Sequence, residues 1–345
     1  MKILLTADPF LPVPPPLYGG IERIVHGLAQ ELRGRGHQIG LVAHAESTSP
    51  VDFFRPWSGA AERGAFQSIR HALDLRRAVS GFRPDVIHSF SRLLLLLPFL
   101  GRSGAKLMSY QRATGGWRNR AAAMVGDSSF AFTGCSEYIA SLGRSFGGRW
   151  VPIPNFVDVD YYAPSLAVAA DAPLVFLSRI EAIKGAHTAI RMARAAGRKL
   201  ILAGNRVDSE QGREYWRKEI EPHLLDGAVE YVGPVNDEQK NALLGRAAAL
   251  LVPIEWDEPF GIVFAEALAC GTPVIACPRG ALPEIVASGV HGFLVTSVDE
   301  GANAISRLNE IDRATCRKHA EDHFSQRVVC DAYLILYQQL LSRSQ

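Results

Sequence analysis

Two glutamates, Glu258 and Glu266, frame the segment Glu-Pro-Phe-Gly-Ile-Val-Phe-Ala-Glu, which runs on as Ala-Leu-Ala-Cys-Gly-Thr-Pro273. Pro259 and Gly261 mark a turn, and residues 262–270 predict a helix. Gly271 stands where a left-handed C-terminal cap belongs, and Pro273 blocks continuation. Two carboxylates beside a helix N-terminus suit a phosphorylated, polyhydroxyl ligand. The amides and macrodipole attract phosphate, and the carboxylates accept hydrogen bonds from sugar hydroxyls. On spacing alone the pair is as readily a first-turn glutamate that favours the dipole, with a chance second one. A second stretch, Ser178-Arg-Ile-Glu-Ala-Ile-Lys-Gly185, sets two cations, Arg179 and Lys184, after a predicted strand. Cations there can neutralise a pyrophosphate leaving group as it develops charge, or, taken in isolation, are two solvated surface cations. A third, Gly19-Gly20-Ile-Glu-Arg23, offers bare backbone ahead of a predicted helix, which is what an anion needs, although such a pair is as often simply a turn.

Together, Glu-Pro-Phe-Gly-x-x-x-x-Glu and the following Gly-Thr-Pro-Val-Ile closely resemble the Glu-x7-Glu signature of retaining glycosyltransferases of family 4, which have the GT-B fold. The resemblance covers nearly the whole chain and is more specific in its second half. It implies that the backbone at Gly19 and Gly20 approaches the donor diphosphate. Residues 178–185 are similar to the family's Gly-Arg-x-x-x-x-Lys-Gly, with Ser178 replacing the first glycine, which implies that Arg179 and Lys184 hold that diphosphate. By the same resemblance Glu266 takes the nucleotide ribose hydroxyls and Glu258 the donor sugar's hydroxyls. The backbone of Phe260, Gly261 and Ile262 would line sugar and phosphate, and the segment ending at Val235 would lie beside the base. Many relatives carry a sugar-contacting histidine where this chain has Tyr110 or Gln111. Glutamine does not titrate but can still donate a hydrogen bond. His88 matches a recurrent family histidine near the acceptor side, and as a lone strand-end histidine it is equally a packing residue. Arg112, Trp117, Arg118 and Arg120 read as a basic, aromatic loop able to grip an anionic acceptor, or as solvated loop. Asp158-Val-Asp160 has the form of a metal-binding pair but falls in the family's Pro-Asn-x-Val-Asp stretch. No metal is therefore expected, and no cofactor beyond the nucleotide-diphosphate sugar as co-substrate.

These residues need two scaffolds. Residues 2–6, 38–42, 85–88, 106–109 and 130–133 read as strands, with helices at about 21–32 and from 137. Residues 150–155, with two prolines and no periodicity, read as a linker. The pattern restarts with strands at 174–178, 199–203, 229–232, 249–252, 273–276 and 292–295 and a helix at about 186–196. Strands alternating with helices imply parallel sheets covered on both faces. Two such blocks predict an α/β chain of two doubly wound, Rossmann-like domains facing a cleft. The expected boundaries are an acceptor-binding domain over 1–155, a nucleotide-sugar-binding domain over 156–325, and a terminal helix over 326–345 returning to the first domain, as the GT-B resemblance implies.

A length of 345 residues favours two cores over one, and 48% hydrophobic with 21% charged residues is ordinary globular composition. Five cysteines without a Cys-x-x-Cys pair predict reduced, mostly buried thiols and no zinc site. The N-terminus shows no signal-peptide layout, so the expected location is the cytoplasm, peripheral to the inner face of a membrane at most. Net charge is +2, but residues 1–156 hold 18 Lys and Arg against 10 Asp and Glu. That balance of +8 predicts an anionic partner for the first half, either acceptor or membrane surface, or else ordinary solvated surface. No nucleic-acid partner is expected. The chain reads as a retaining, metal-independent transferase moving a sugar, from a UDP-sugar by preference, to a glycan, lipid-linked or small-molecule acceptor. The alternatives are a GT-B nucleotide-sugar epimerase or hydrolase, and an inactive donor-binding subunit.

Overall fold

The computed structural model describes residues 1–16, 19–59, 64–114 and 116–343. It divides into two compact units, Met1–Asn155 with Gln326–Gln345, and Phe156–Ser325.

In the first unit, short apolar strands alternate with helices: β1 (Lys2–Thr6), α1 (Gly20–Gly34), β2 (Gln38–Ala43), β3 (Phe53–Pro56), α2 (Ala65–Phe82), β4 (Val86–Ser89), α3 (Leu93–Leu96), β5 (Ala105–Tyr110), α4 (Trp117–Val125), β6 (Phe130–Gly134), α5 (Glu137–Arg144) and β7 (Trp150–Pro152). The strands form one parallel sheet in the order β3-β2-β1-β4-β5-β6-β7. Alternation along each strand sends Leu4, Val42, Ile87, Met108, Phe132 and Trp150 to one face. There they pack with Leu75 and Phe82 of α2, Leu96 of α3, Ala122 of α4 and Ala140 of α5. Helix α1 reaches its buried state through Ile24, Val25, Leu28 and Leu32, spaced as one apolar stripe.

In the second unit the order along the chain is β8 (Leu174–Leu177), α6 (Ala186–Ala195), β9 (Leu200–Ala203), α7 (Glu210–Tyr215), β10 (Val229–Gly233), α8 (Asp237–Arg246), β11 (Ala249–Val252), α9 (Ile262–Ala269), β12 (Val274–Ala276), α10 (Leu282–Ile285), β13 (Gly292–Leu294), α11 (Val298–Ser306) and α12 (Arg313–Phe324). Its parallel sheet runs β10-β9-β8-β11-β12-β13. The chain builds outward from β8 in one direction and from β11 in the other. The two loops leaving adjacent strands β8 and β11 therefore diverge at a topological switch point, where an open α/β sheet has room for a ligand.

The final helix, α13 (Gln326–Leu341), belongs to the first unit, packing on α1 and β5. Gln326 Nε2 donates to the Gly27 carbonyl at 2.8 Å, and Arg35 donates to the Arg327 carbonyl at 3.0 Å.

Three features differ from the sequence reading. Residues 150–152, read as linker, form the seventh strand, because an edge strand tolerates the missing donor of Pro152. Strand β3 and helix α2 carried no clear signal. The strand is only half buried, and α2 has apolar residues on both its faces, which blurs the helical period. Trp117, Arg118 and Arg120, read as loop, lie in the first turn of α4.

Candidate functional site

The loops at the second switch point bring Lys184 and Glu258 together from positions far apart in the chain. Lys184 Nζ donates to Glu258 Oε2 at 2.8 Å, and Trp256 Nε1 donates to the same oxygen at 2.9 Å. The ammonium also lies 4.6 Å from the centroid of the Trp256 ring, a cation–π contact. Only about an eighth of each side chain is exposed, 12% for Lys184 and 13% for Glu258. Water therefore screens the pair less than a surface ion pair. Two glycines let these loops approach. Gly185 has φ +77°, and a Cβ there would sit 2.1 Å from the Pro253 carbonyl oxygen on the neighbouring loop. Gly261 has φ +79°, and a Cβ there would strike the Phe264 ring at 2.5 Å. Both positions exclude ordinary side chains. Arg179, at the end of β8, is about half exposed and pairs with Glu181 at 2.6 Å. Its guanidinium is thus held beside the strand end with open surface to spare.

Glu266 sits inside α9 with 8% of its surface exposed. Tyr162 donates its hydroxyl to Glu266 Oε1 at 2.7 Å, and the Lys240 ammonium donates to the same atom. Lys240 is delivered by α8, whose start is fixed by a capping box between Asn236 and Gln239. Burial, and next the Glu266 carboxylate, push the Tyr162 phenol far above its ordinary range, so it stays a donor. Cys270, near the same carboxylate, is pushed by burial up to about 12 and is an unreactive thiol. Phe260 is buried edge-on against Phe324 with centroids 5.6 Å apart, Gly261 precedes α9, and Ile262 opens it. Val235 lies half-buried just before the Asn236 cap. Gly271 does take the left-handed conformation, φ +75°, after α9.

In the first unit, Gly19 precedes α1 and Gly20 is its first residue. Glu22 is buried in the first turn. Burial raises its carboxyl above the usual range, against a lowering by its own backbone amide, and nearby Asp8 adds to the rise. Gln111 is half-buried just past the end of β5. His88 needs a correction. Its ring is fully enclosed, with Nδ1 2.6 Å from the Tyr337 hydroxyl and Nε2 2.6 Å from Ser109 Oγ. Phe90, Tyr333 and Tyr337 surround it, and burial lowers its pKa to about 3. With both nitrogens engaged, this is a neutral core histidine anchoring α13 and presents no atom to a ligand. The Asp158-Val-Asp160 pair is likewise accounted for locally, since Asp158 accepts from the amides of Asp160 and Tyr161, both at 3.1 Å.

Tyr162, Lys240 and Trp256 are the partners that sequence reasoning missed. Trp256 stands two residues before Glu258 and was within reach of inspection. Tyr162 and Lys240 carried no motif, because only the packing of α8 and of the segment after residue 156 against α9 aims them.

Two doubly wound parallel sheets, the second with a cation–carboxylate cluster at its switch point, define the GT-B class of glycosyltransferase architecture. A family model described as "Glycosyltransferase Family 4" matches residues 18–161, and one described as "Glycosyl transferases group 1" matches residues 165–323. The chain belongs to glycosyltransferase family 4. It is similar to a D-inositol 3-phosphate glycosyltransferase of Mycolicibacterium smegmatis, 31% identical over 223 residues. That match takes in 60% of this chain and about half, 51%, of the relative's length. Among solved structures it resembles a glycosyltransferase involved in avilamycin A biosynthesis, with 25% identity, a TM-score of 0.73, and coverage of 99% of this chain and 98% of that one. It also shares its fold with the Anabaena protein Alr3699/HepE in complex with UDP and glucose, at 21% identity and a TM-score of 0.74, covering 98% of this chain and 99% of that one.

Proposed function

We propose that this protein is a retaining glycosyltransferase that moves a sugar from a nucleotide-diphosphate sugar, a UDP-sugar by preference, to a glycan, lipid-linked or small-molecule acceptor. The observation that supports this most is the meeting of Lys184 with Glu258 at the β8–β11 switch point, with Glu266 held by Tyr162 and Lys240 on the following helix α9. In this reading Arg179 and Lys184 bind the diphosphate, Glu258 the donor sugar and Glu266 the ribose. The acceptor hydroxyl attacks the anomeric carbon on the face the diphosphate leaves. The carbon–oxygen bond to phosphate breaks, and a diphosphate oxygen takes the acceptor's proton, so no side chain need serve as nucleophile. The two cations neutralise the charge that develops on the leaving group, which is why the reading needs no divalent metal. Gln111, which does not titrate, contributes as a hydrogen-bond donor. The Anabaena neighbour's bound UDP supports the donor choice. The mycobacterial relative's named acceptor, an inositol phosphate, supports an anionic acceptor. The basic first unit is then the part that meets such an acceptor, or an anionic membrane surface.

Isothermal titration with UDP tests the reading. Lys184→Ala removes one partner of a largely buried charged hydrogen bond, a change that typically costs about 2–5 kcal/mol. A large loss of UDP affinity is expected, with EDTA leaving the parent protein's binding intact. Unchanged affinity in the variant, or binding abolished by EDTA, refutes it.

A further inference from the structure

The excess positive charge of the first unit is concentrated in one stretch. Residues 64–126 hold ten Lys and Arg against two Asp and Glu, which is the whole +8 excess of residues 1–156. This stretch supplies α2, α3 and α4, and all three pack on the same face of the seven-stranded sheet. Their outward sides therefore belong to one layer of the unit. That layer carries several exposed apolar side chains. On α2, Phe66, Ile69 and Leu73 follow a helical stripe and are 68%, 60% and 45% exposed. Arg70 and Arg76 lie on the same stripe, with the Arg70 guanidinium 4.6 Å from the Phe66 ring centroid. The single acid of α2, Asp74, is buried beneath, 3.4 Å from Arg55 and 3.8 Å from Arg77. On α4, Trp117 and Met124 are 74% and 80% exposed beside Arg118 and Arg120.

Large apolar side chains left in water on a globular unit mark a surface that something covers. Here they are interleaved with arginines, and the one acid within α2, Asp74, is buried. Phe, Ile and Leu on one side of α2, with arginines among them, match the interfacial region of a bilayer, and the charge complements anionic headgroups. Among the described residues no helix is long and apolar enough to cross a membrane, so such contact would be peripheral. We propose that the outer face of α2 docks this protein on an anionic lipid bilayer. This rests on the reading of the basic unit as the one that meets an anionic partner, and it assigns the contact to α2, outside the residues given a role in transfer.

The full chain is mixed with vesicles of phosphatidylcholine, alone or containing phosphatidylglycerol, and sedimented at low and at high salt. Binding to the anionic vesicles is expected to exceed that to neutral ones by roughly tenfold or more, and to collapse at high salt. The variant Phe66→Ser/Ile69→Ser/Leu73→Ser should lose about tenfold or more in partitioning even at low salt. The variant Arg70→Ala/Arg76→Ala should lose the preference for phosphatidylglycerol. Both should bind UDP as the parent does, which checks their folding and separates this proposal from the proposed activity. Should the serine variant misfold, the arginine variant decides. Equal binding to neutral vesicles, no binding, or unaltered partitioning of the variants overturns the proposal. So does a solution dimer that the serine variant converts to monomer while vesicle binding is absent, because the face would then be a protein interface.

Discussion

Tyr162→Phe removes one oxygen atom and nothing else from the surroundings of Glu266. The phenol is 5% exposed and Glu266 is 8% exposed, so water does not readily replace the lost donor. A hydrogen bond to a charged group contributes about 1.5–3 kcal/mol. The Lys240 ammonium still holds Glu266 Oε1, which puts the expected loss at the low end, about 1.5 kcal/mol. Phenylalanine keeps the ring and leaves almost no cavity, so no packing loss should add to this. For a unit of this size, residues 156–325, such a loss lowers the melting temperature by roughly 3–6 °C. The functional consequence follows from the same geometry. With one of its two donors gone the carboxylate is held by Lys240 alone and less firmly fixed, and a ribose that must be met by a fixed acceptor binds less well. Titration calorimetry should show UDP affinity falling about tenfold, equivalent to about 1.4 kcal/mol. The affinity ratio of UDP over 2′,3′-dideoxy-UDP should shrink, because the lost selectivity concerns the ribose hydroxyls alone. A merely structural tyrosine would lower the melting temperature and leave that ratio untouched. The reasoning fails if the variant melts lower but discriminates the two ligands as the parent does, or if Glu266→Gln leaves ribose selectivity unchanged.

Three other expectations can be checked independently. NMR of the product linkage should show the donor's anomeric configuration retained, and mass spectrometry should find no sugar adduct on a side chain; an inverted product sinks the front-face mechanism. Charge reversal in Arg118→Glu/Arg120→Glu should raise the Michaelis constant for an anionic acceptor and flatten its salt dependence, while kinetics unaltered in both respects would make these arginines solvated surface only. His319 stacks on His291 with ring centroids 3.8 Å apart, lies 4.5 Å from His323, and donates from Nε2 to the Ile285 carbonyl at 3.1 Å. Burial first, then the two neighbouring rings, lowers its pKa from the ordinary 6.5 to about 4, with the bond to the Ile285 carbonyl and then nearby Asp322 opposing. The folded state thus binds fewer protons, so stability is full above about pH 6.5, falls as pH drops toward 4, and levels below. His319→Phe should flatten part of this acid limb in melting curves, the rest belonging to groups such as His88; an identical limb refutes the assignment.

What the sequence determined by itself was local. The two alternating strand–helix blocks, the terminal helix at 326–341 and the left-handed glycine after α9 each depend on residues a few positions apart. Periodicity and capping report such features because the period of a helix or strand is itself local. The motif segments around Arg179, Lys184, Glu258 and Glu266 were visible for the same reason. Their partners were not. Tyr162 reaches Glu266 across 104 positions, and Lys240 reaches it across 26. Lys184 and Glu258 meet only because β8 and β11 are neighbours in the sheet, an order that no stretch of sequence states. His88 looked equally like a site residue and a core residue until Tyr337, 249 positions away on α13, closed over it. Helix α2 shows the limit from the other side: its outward Phe66, Ile69 and Leu73 blur the period that burial would otherwise write into the sequence. Contacts between distant segments are set by strand order and helix packing, and those emerge only when the whole chain buries its apolar surface at once.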